Sequence, residues 1–332
     1  MKTFAMGGVH PEENKISTTA VIEEFPLPKT AVILMNQHLG APATPCVEKG
    51  DKVKVGQLIG KAEAFMCANI HSPFSGTVAK IDTCKDAFGL TKPAIYINVE
   101  GDEWEESIDR TPDIKRECTL ESKEIVDKLK AMGVVGLGGA TFPTHIKYSI
   151  APDKKAEYLI INAVECEPYL TSDHRVMMEH AEEICIGVSI LRKALGVPNA
   201  YIGIENNKPE PIAVMKAMAA KFEGIIVEPL KVNTLKVPKN SLSTPSLAVA
   251  SLRANCLSMS DALSAMSVPH TLSTKQYRKT NLLSRTSLPL PARSCKRSIT
   301  ITSVSVSHTT TSSNIPSLNF QKPQEKLSVA VQ

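Results

Sequence analysis

Glycine is missing altogether from residues 233–332, and all 17 glycines of the chain lie before them. Ordinary chains carry about 7% glycine, so a hundred residues without one exclude a turn-rich packed domain of the usual kind. Acidic residues nearly vanish there as well. Asp261 and Glu325 stand against 12 Lys and Arg, a balance of +10, whereas residues 1–232 carry 26 Lys and Arg against 32 Asp and Glu, a balance of −6. Ser and Thr make up 31 of those last 100 residues. Two kinds of sequence meet near Val232.

Other absences narrow the function. The eight cysteines (Cys46, Cys67, Cys84, Cys118, Cys166, Cys185, Cys256 and Cys295) include no CxxC pair. The sequence therefore spells out neither a zinc site nor a local iron–sulfur motif, and reduced thiols are the plain reading. No apolar run approaches the roughly 18–20 residues that cross a bilayer. The opening MKTFAMGGVHPEENK lacks the apolar core of a signal peptide, so export is not expected. Aromatic residues in the basic tail reduce to Tyr277 and Phe320, too few to stack bases, so no nucleic acid is expected as a partner.

What is present fits two domains in 332 residues. From Ala31 to Val99 short β-like runs alternate with turn signals. Ala31–Met35 (AVILM) reads as a buried strand, Lys49-Gly50-Asp51 as a turn, His71–Ile81 as a turn at Ser75-Gly76 leading into a strand, and Ala94–Val99 as another strand. Glu121–Gly133 places Ile125, Leu129 and Met132 at helical spacing, with Ser122 as its cap and Gly133 as its stop. Then comes GLGGATFPTHIKY (Gly136–Tyr148). Its three glycines in four residues let backbone N–H groups approach an anion, a following helix would add its N-terminal dipole, and Lys147 would add a full charge.

Strand, helix, strand, helix, strand follow. Glu157–Val164 is a strand, Ser172–Leu195 reads as one helix, and Ala200–Ile204 is a strand. A helix starts at Pro211, and Gly224–Leu230 is a strand. That alternation predicts a parallel α/β sheet whose ligands gather at the carboxyl ends of the strands. Asn162–Glu167 sits at one such end. The bland reading of Glu165 and Glu167 is a pair of solvated loop acids. His145, His174 and His180 read as surface or helix-face residues. Cys166, between two acids, reads as structural because acidic neighbours raise a thiol pKa.

Three resemblances follow from these phrases. KGDKVKVGQLIG and HSPFSGTV resemble the two arms of a biotinyl/lipoyl-like hammerhead, or barrel-sandwich hybrid. Its hairpin tip here, Ala62–Ile70, holds no lysine, and Lys61 lies at the end of the first arm, so a docking domain is expected rather than a swinging-arm carrier. The ordered set GGVHPEENK, PLP and NQHLGAPATPCVEKGDKVKVGQLIG resembles RnfC, a component of the Rnf-type ferredoxin:NAD electron-transport complex. A soluble cobalamin reductase family and a component of the sodium-pumping quinone reductase share parts of it. GLGGATFPTHIKY with NAVECEP resembles the flavin- and NADH-binding subunit of respiratory complex I, apart from Leu137 and Val164, where that relative carries an arginine and an acid.

The resemblance implies that Gly136, Gly138, Gly139, Ala140 and Lys147 embrace the phosphate and ribityl chain of FMN, with Asn162 and Glu165 on the flavin. Phe142 and Glu167 would meet NADH. It further implies a peripheral subunit on the cytoplasmic side of the inner membrane, with membrane and ferredoxin-like Rnf subunits as partners. The family's 4Fe-4S clusters have no ligand motif in this chain, which by itself is expected to be inactive. The expected layout is a β domain over 1–110, a partial FMN/NADH-binding α/β domain over 111–232, and an irregular tail. A non-catalytic docking module and a cobalamin-reductase-type flavoprotein are the alternative functions.

The tail has a reading of its own. Restoring one base after codon 232 turns VNTLKVPKNSLSTPS into VKYPQGAEKQLIHAL, a phrase like that family's continuation. The windows His270–Ser284 and Thr302–Pro316 restore to family-like phrases in the same frame. Residues 233–332 are therefore expected to be translated out of frame, and to be disordered.

Overall fold

The computed structural model describes residues 12–22, 27–86, 89–108, 114, 116–136, 141–150, 156–231, 254–258, 304–306 and 328–331. The chain divides into two units, one of residues 23–108 with 277–332 and the other of residues 1–22 with 109–276. Residues 12–22, which the sequence counts with the β domain, are grouped by their contacts with the α/β unit.

In the β unit, β1 (Thr30–Leu34) is a β-branched run buried on both faces. It pairs antiparallel with β7 (Thr91–Val99), Ala31 opposite Ile97 and Ile33 opposite Ile95. β6 (Gly76–Lys85) forms a hairpin with β7 and shifts register between Val78 and Lys80. β3 (Lys52–Val53) closes the far edge of this sheet. A second, small sheet holds β2 (Thr44–Pro45), β4 (Leu58–Lys61) and β5 (Ile70–His71). Ile33, Met35, Val53, Ile59, Ile70, Phe74, Val78, Ile95 and Ile97 form its core, the two-sheet arrangement expected of a barrel-sandwich hybrid. At the lysine-free tip the Ala62 amide donates to the Asn69 side chain at 2.9 Å, and Phe65 stands 79% exposed.

In the α/β unit, α1 (Ser122–Ala131) buries Ile125 and Leu129, the helical spacing seen in the sequence. Its cap is Glu121 rather than Ser122. The Glu124 carboxylate accepts the Glu121 N–H at 2.8 Å, and Ser122, already helical, donates its hydroxyl to the Ala194 carbonyl. Glu124→Ala should lower the stability of this unit by about 1 kcal/mol, the usual worth of a cap, read as an earlier loss of helical ellipticity on heating.

α2 (Thr144–Tyr148), the helix expected after the glycine loop, is five residues long. β8 (Tyr158–Ala163), β9 (Asn199–Glu205) and β10 (Ile225–Leu230) run parallel, as the alternating pattern predicts. The long helix read over 172–195 is two, α3 (Ser172–Glu179) and α4 (Ala181–Leu195). They part at His180, whose φ of −132° is not helical and whose Nδ1 lies 3.0 Å from the Glu183 carboxylate. Gly196, at φ +64°, ends α4. α5 (Pro209–Ala219) begins two residues ahead of Pro211 and carries proline in its first turn.

The tail contributes backbone where only irregular chain was expected. β11 (Ala254–Ser258) lies parallel beside β8, giving the order β10-β9-β8-β11. β12 (Val304–Val306) and β13 (Ser328–Val331) extend the sheet of the β unit, β13 pairing with β1. The expectation of disorder elsewhere in 233–332 lies outside the described residues.

Candidate functional site at the carboxyl end of the parallel strands

β8 and β9 end side by side, and their last residues differ from those in the strands' middles. Asn162 uses its side-chain oxygen to accept the Val164 N–H at 3.1 Å, which turns the chain out of β8. Glu165 follows with φ +46°, in the left-handed region that a non-glycine residue seldom enters. Tyr169, at φ +66°, is a second such residue in the same turn. Strain of this kind persists only where neighbours over-determine the backbone.

Those neighbours are two lysines. Lys15 Nζ donates to the carbonyls of Glu165, Glu167 and Leu170 at 2.9, 2.9 and 2.6 Å. Lys208, 2% exposed, donates to the Val164 carbonyl at 2.7 Å and lies 3.5 Å from the Glu205 carboxylate. An ammonium has three N–H donors, and the three carbonyls satisfy those of Lys15 in full. Burial lowers the Lys15 pKa, and Glu165 is the strongest of the acids that oppose the shift.

Glu165 is not a solvated loop acid. Its side chain is buried, accepts the Asp173 N–H at 2.6 Å and the His174 N–H at 3.3 Å, and meets the Ser172 hydroxyl at 3.2 Å. It thereby caps α3 from a distance. Burial pushes its carboxyl up to about 8, helped by Asp173 and opposed by Lys15 and Lys208. Burial likewise pushes Asp173 up to about 6, with Glu167 adding to the rise. Glu167 is exposed, in keeping with the plain reading. Burial and then Glu167 and Glu205 raise the Cys166 thiol, in keeping with an unreactive cysteine.

The second group surrounds the glycine loop. Gly136 is buried and donates its N–H to the Phe142 carbonyl at 2.9 Å, while Val135 bridges Pro143 antiparallel. The loop is thus pinched shut at its base. Thr141 is 5% exposed at φ +48°. Phe142 and Lys147 are half-buried. Gly138, Gly139 and Ala140 lie outside the described residues. His145 and His174 lie on α2 and α3, the helix-face alternative of the sequence reading, and both are buried.

Residues 2–102 match the family described as the RnfC barrel sandwich hybrid domain, and residues 129–238 match the Nuo51 FMN-binding domain. In sequence the chain is similar to RnfC proteins. It is 41% identical over 282 residues to the RnfC protein of the proton-translocating ferredoxin:NAD(+) oxidoreductase complex of Clostridium ljungdahlii. It is 41% identical over 218 residues to the corresponding protein of the Na(+)-translocating complex of Acetobacterium woodii, and 42% over 220 residues to that of the ion-translocating oxidoreductase complex of Rhodobacter capsulatus. These matches take in 79%, 64% and 65% of this chain, and 60%, 48% and 42% of the relatives. The chain therefore spans about half the length of the RnfC proteins it matches.

Four members of this site escape a reading of the sequence. Lys15 and Lys208 carry no signal, because lysine is normally a surface residue. Glu205 ends β9 beside Asn162 and Glu165 at the end of β8, so the rule that singles out those two would also have found it. Asp173 reads from sequence only as a helix start. The sheet order also reverses here, since β9 and β10 lie to one side of β8 and β11 to the other. Such a switch point is where open α/β sheets hold ligands.

Proposed function

We propose that this chain is the flavin-carrying front part of an RnfC protein whose complex passes electrons between NADH and iron–sulfur centres, coupled to ion translocation. The observation that carries this reading is an over-determined turn at the carboxyl end of a parallel sheet, in a unit that also holds a glycine loop whose two ends are hydrogen-bonded together. The residues fit FMN. Gly136 and the loop it opens suit a phosphate, Lys147 supplies a positive charge, and the Asn162 amide keeps two N–H donors for a flavin's acceptor edge. Gly138, Gly139 and Ala140 complete the loop, and Phe142 and exposed Glu167 would meet NADH. FMN, when bound, supplies a hydride acceptor that releases electrons singly.

The 4Fe-4S clusters of the complex would be held outside this chain, which has no ligand motif for them. Among the described residues no helix is long and apolar enough to cross a membrane. The similarity to RnfC proteins is what supports a peripheral position, on the cytoplasmic face of the membrane, against membrane-bound and ferredoxin-like Rnf subunits. Residues from Asn233 onward are proposed to be out of frame, a reading supported by the abrupt change of composition there and by the family-like phrases that one restored base gives. Resequencing the DNA around codon 232 tests it, and an unbroken frame there would refute it.

The purified chain should take up FMN and turn yellow. Lys147→Ala should weaken that binding about tenfold or more, from loss of a charge-assisted phosphate contact worth about 1.5–3 kcal/mol. Lys216→Ala, on the exposed side of α5, should leave it unchanged. Flavin fluorescence quenching reads both, and equal affinities would remove the glycine loop from the site.

A further inference from the structure

The opening arm is built into the α/β unit. The Glu13 carbonyl accepts the Tyr169 N–H at 2.8 Å, and the Glu13 carboxylate accepts the Asn207 amide at 2.9 Å. Ser17 and Thr171 share a buried hydroxyl–hydroxyl bond of 2.7 Å. Arg175 donates to the Thr18 carbonyl at 3.0 Å, and the Ile22 N–H donates to the Glu179 carboxylate at 3.0 Å. Asn14, at φ +45°, joins Thr141, Glu165 and Tyr169 as a non-glycine residue in left-handed backbone. Each such residue costs on the order of 1–3 kcal/mol. Three of the four lie in the arm or in the turn it grips.

We propose that Lys15 and Lys208 are positioning residues, a two-lysine clamp that locks turn 164–170 through its main-chain carbonyls and makes the opening arm a working part of the flavin site. The proposal rests on the flavin reading above. Lys15 takes the carbonyls of Glu165, Glu167 and Leu170, and Lys208 takes that of Val164, so together they hold both ends of the turn. Lys208 faces the Glu205 carboxylate, whereas Lys15 spends its three donors on uncharged carbonyls. Glu165, Glu205 and Glu13 act on Lys15 through space, but among the described residues no carboxylate hydrogen-bonds it, so its charge is opposed without being directly paired. A nearby cation favours the more negative, reduced form of a flavin over the oxidised form. The clamp does two separable things: it fixes the geometry of Asn162–Glu167, and it raises the reduction potential of what binds there.

The test uses the full chain and three measurements. Lys15→Met is the primary variant because the arm lies at the surface, and Lys208→Met is the second. In Lys15→Met, amide exchange of residues 164–170 should accelerate at least tenfold, with exchange in β8 unchanged. FMN affinity should fall at least tenfold. The potential of bound flavin should drop by about 30 mV, the equivalent of a tenfold loss of preference for the two-electron reduced form. Lys15→Arg should keep the potential of wild type, because it keeps the charge, yet lose affinity, because a planar fork does not fit three converging carbonyls.

Unchanged exchange in both methionine variants would overturn the clamp. Faster exchange with wild-type affinity and potential would overturn its positioning role and leave a purely structural latch. Failure of the wild-type chain to bind FMN would refute the flavin reading and the positioning role with it, while exchange in the unliganded chain would still decide whether the clamp exists.

Discussion

Gly76→Ala is expected to destabilise the β unit by about 3 kcal/mol, at the upper end of what single substitutions cost. Gly76 opens β6 at φ +151°, a conformation that L residues rarely adopt. A Cβ built there would lie 2.0 Å from the carbonyl oxygen of Asn98 and 3.0 Å from the Glu100 nitrogen. Both obstacles are backbone, and Asn98 is held in β7 by its pairing with Thr30 and Thr77. No side chain can rotate away to make room. Relief requires the β6–β7 hairpin to part at the end where it enters the core of Val78, Ile95 and Ile97. Trp104, the sole tryptophan and a buried residue of this unit, reports the change. Its fluorescence midpoint in urea should move well below that of wild type. Gly89→Ala is the control, since nothing lies within 4 Å of the added carbon, although its φ of +79° still carries the smaller backbone cost. Equal midpoints for the two variants would show that the Asn98 contact does not constrain the hairpin.

The second large effect is a loss of stability with rising pH in the α/β unit. Glu165 ionises near its ordinary 4.5 when unfolded and at about 8 when folded. The folded chain therefore holds a proton that the unfolded chain has released. Its contribution is complete below pH 4.5 and is lost as pH rises towards and through 8. Asp173, raised from 3.8 to about 6, acts in the same direction over a lower window. The loss attributable to Glu165 between pH 5 and 8.5 is on the order of 3 kcal/mol. All five described helices belong to this unit, so helical ellipticity follows it. The wild-type melting temperature should fall across that range, and Glu165→Gln should flatten most of the fall above pH 6. A variant that keeps the wild-type slope would place the proton elsewhere.

The parallel sheet and the barrel-sandwich core were legible because period-2 burial, helical spacing and Gly or Pro punctuation all agree over Ala31–Val99 and Glu157–Leu230. The misreadings share a cause. Helix ends depend on side chains reaching from elsewhere, which no local window holds. Glu165 caps α3 across a turn, and Ser122 serves Ala194 instead of its own helix. His180 interrupts a run whose apolar spacing continues straight through it, so only the backbone angle reveals the break. The site was half legible. Asn162, Glu165 and Glu167 follow from their place at a strand end, whereas Lys15 stands 150 residues from Glu165 and joins it only through the fold.

That separation bears on how the protein is made. The α/β unit is discontinuous in the chain, with the β strands from Thr30 to Val99 encoded between its first piece and its second. The arm leaves the ribosome ahead of the rest of its unit and has nothing to grip. At about 5–20 residues per second, Lys15 waits on the order of 10–40 s before the Lys208 end of the same clamp is synthesised. During that interval the seven strands from Thr30 to Val99 are already synthesised and can pair with one another. Completion of the α/β unit then becomes a ring-closing event, in which Lys15 and Lys208 meet across everything synthesised between them.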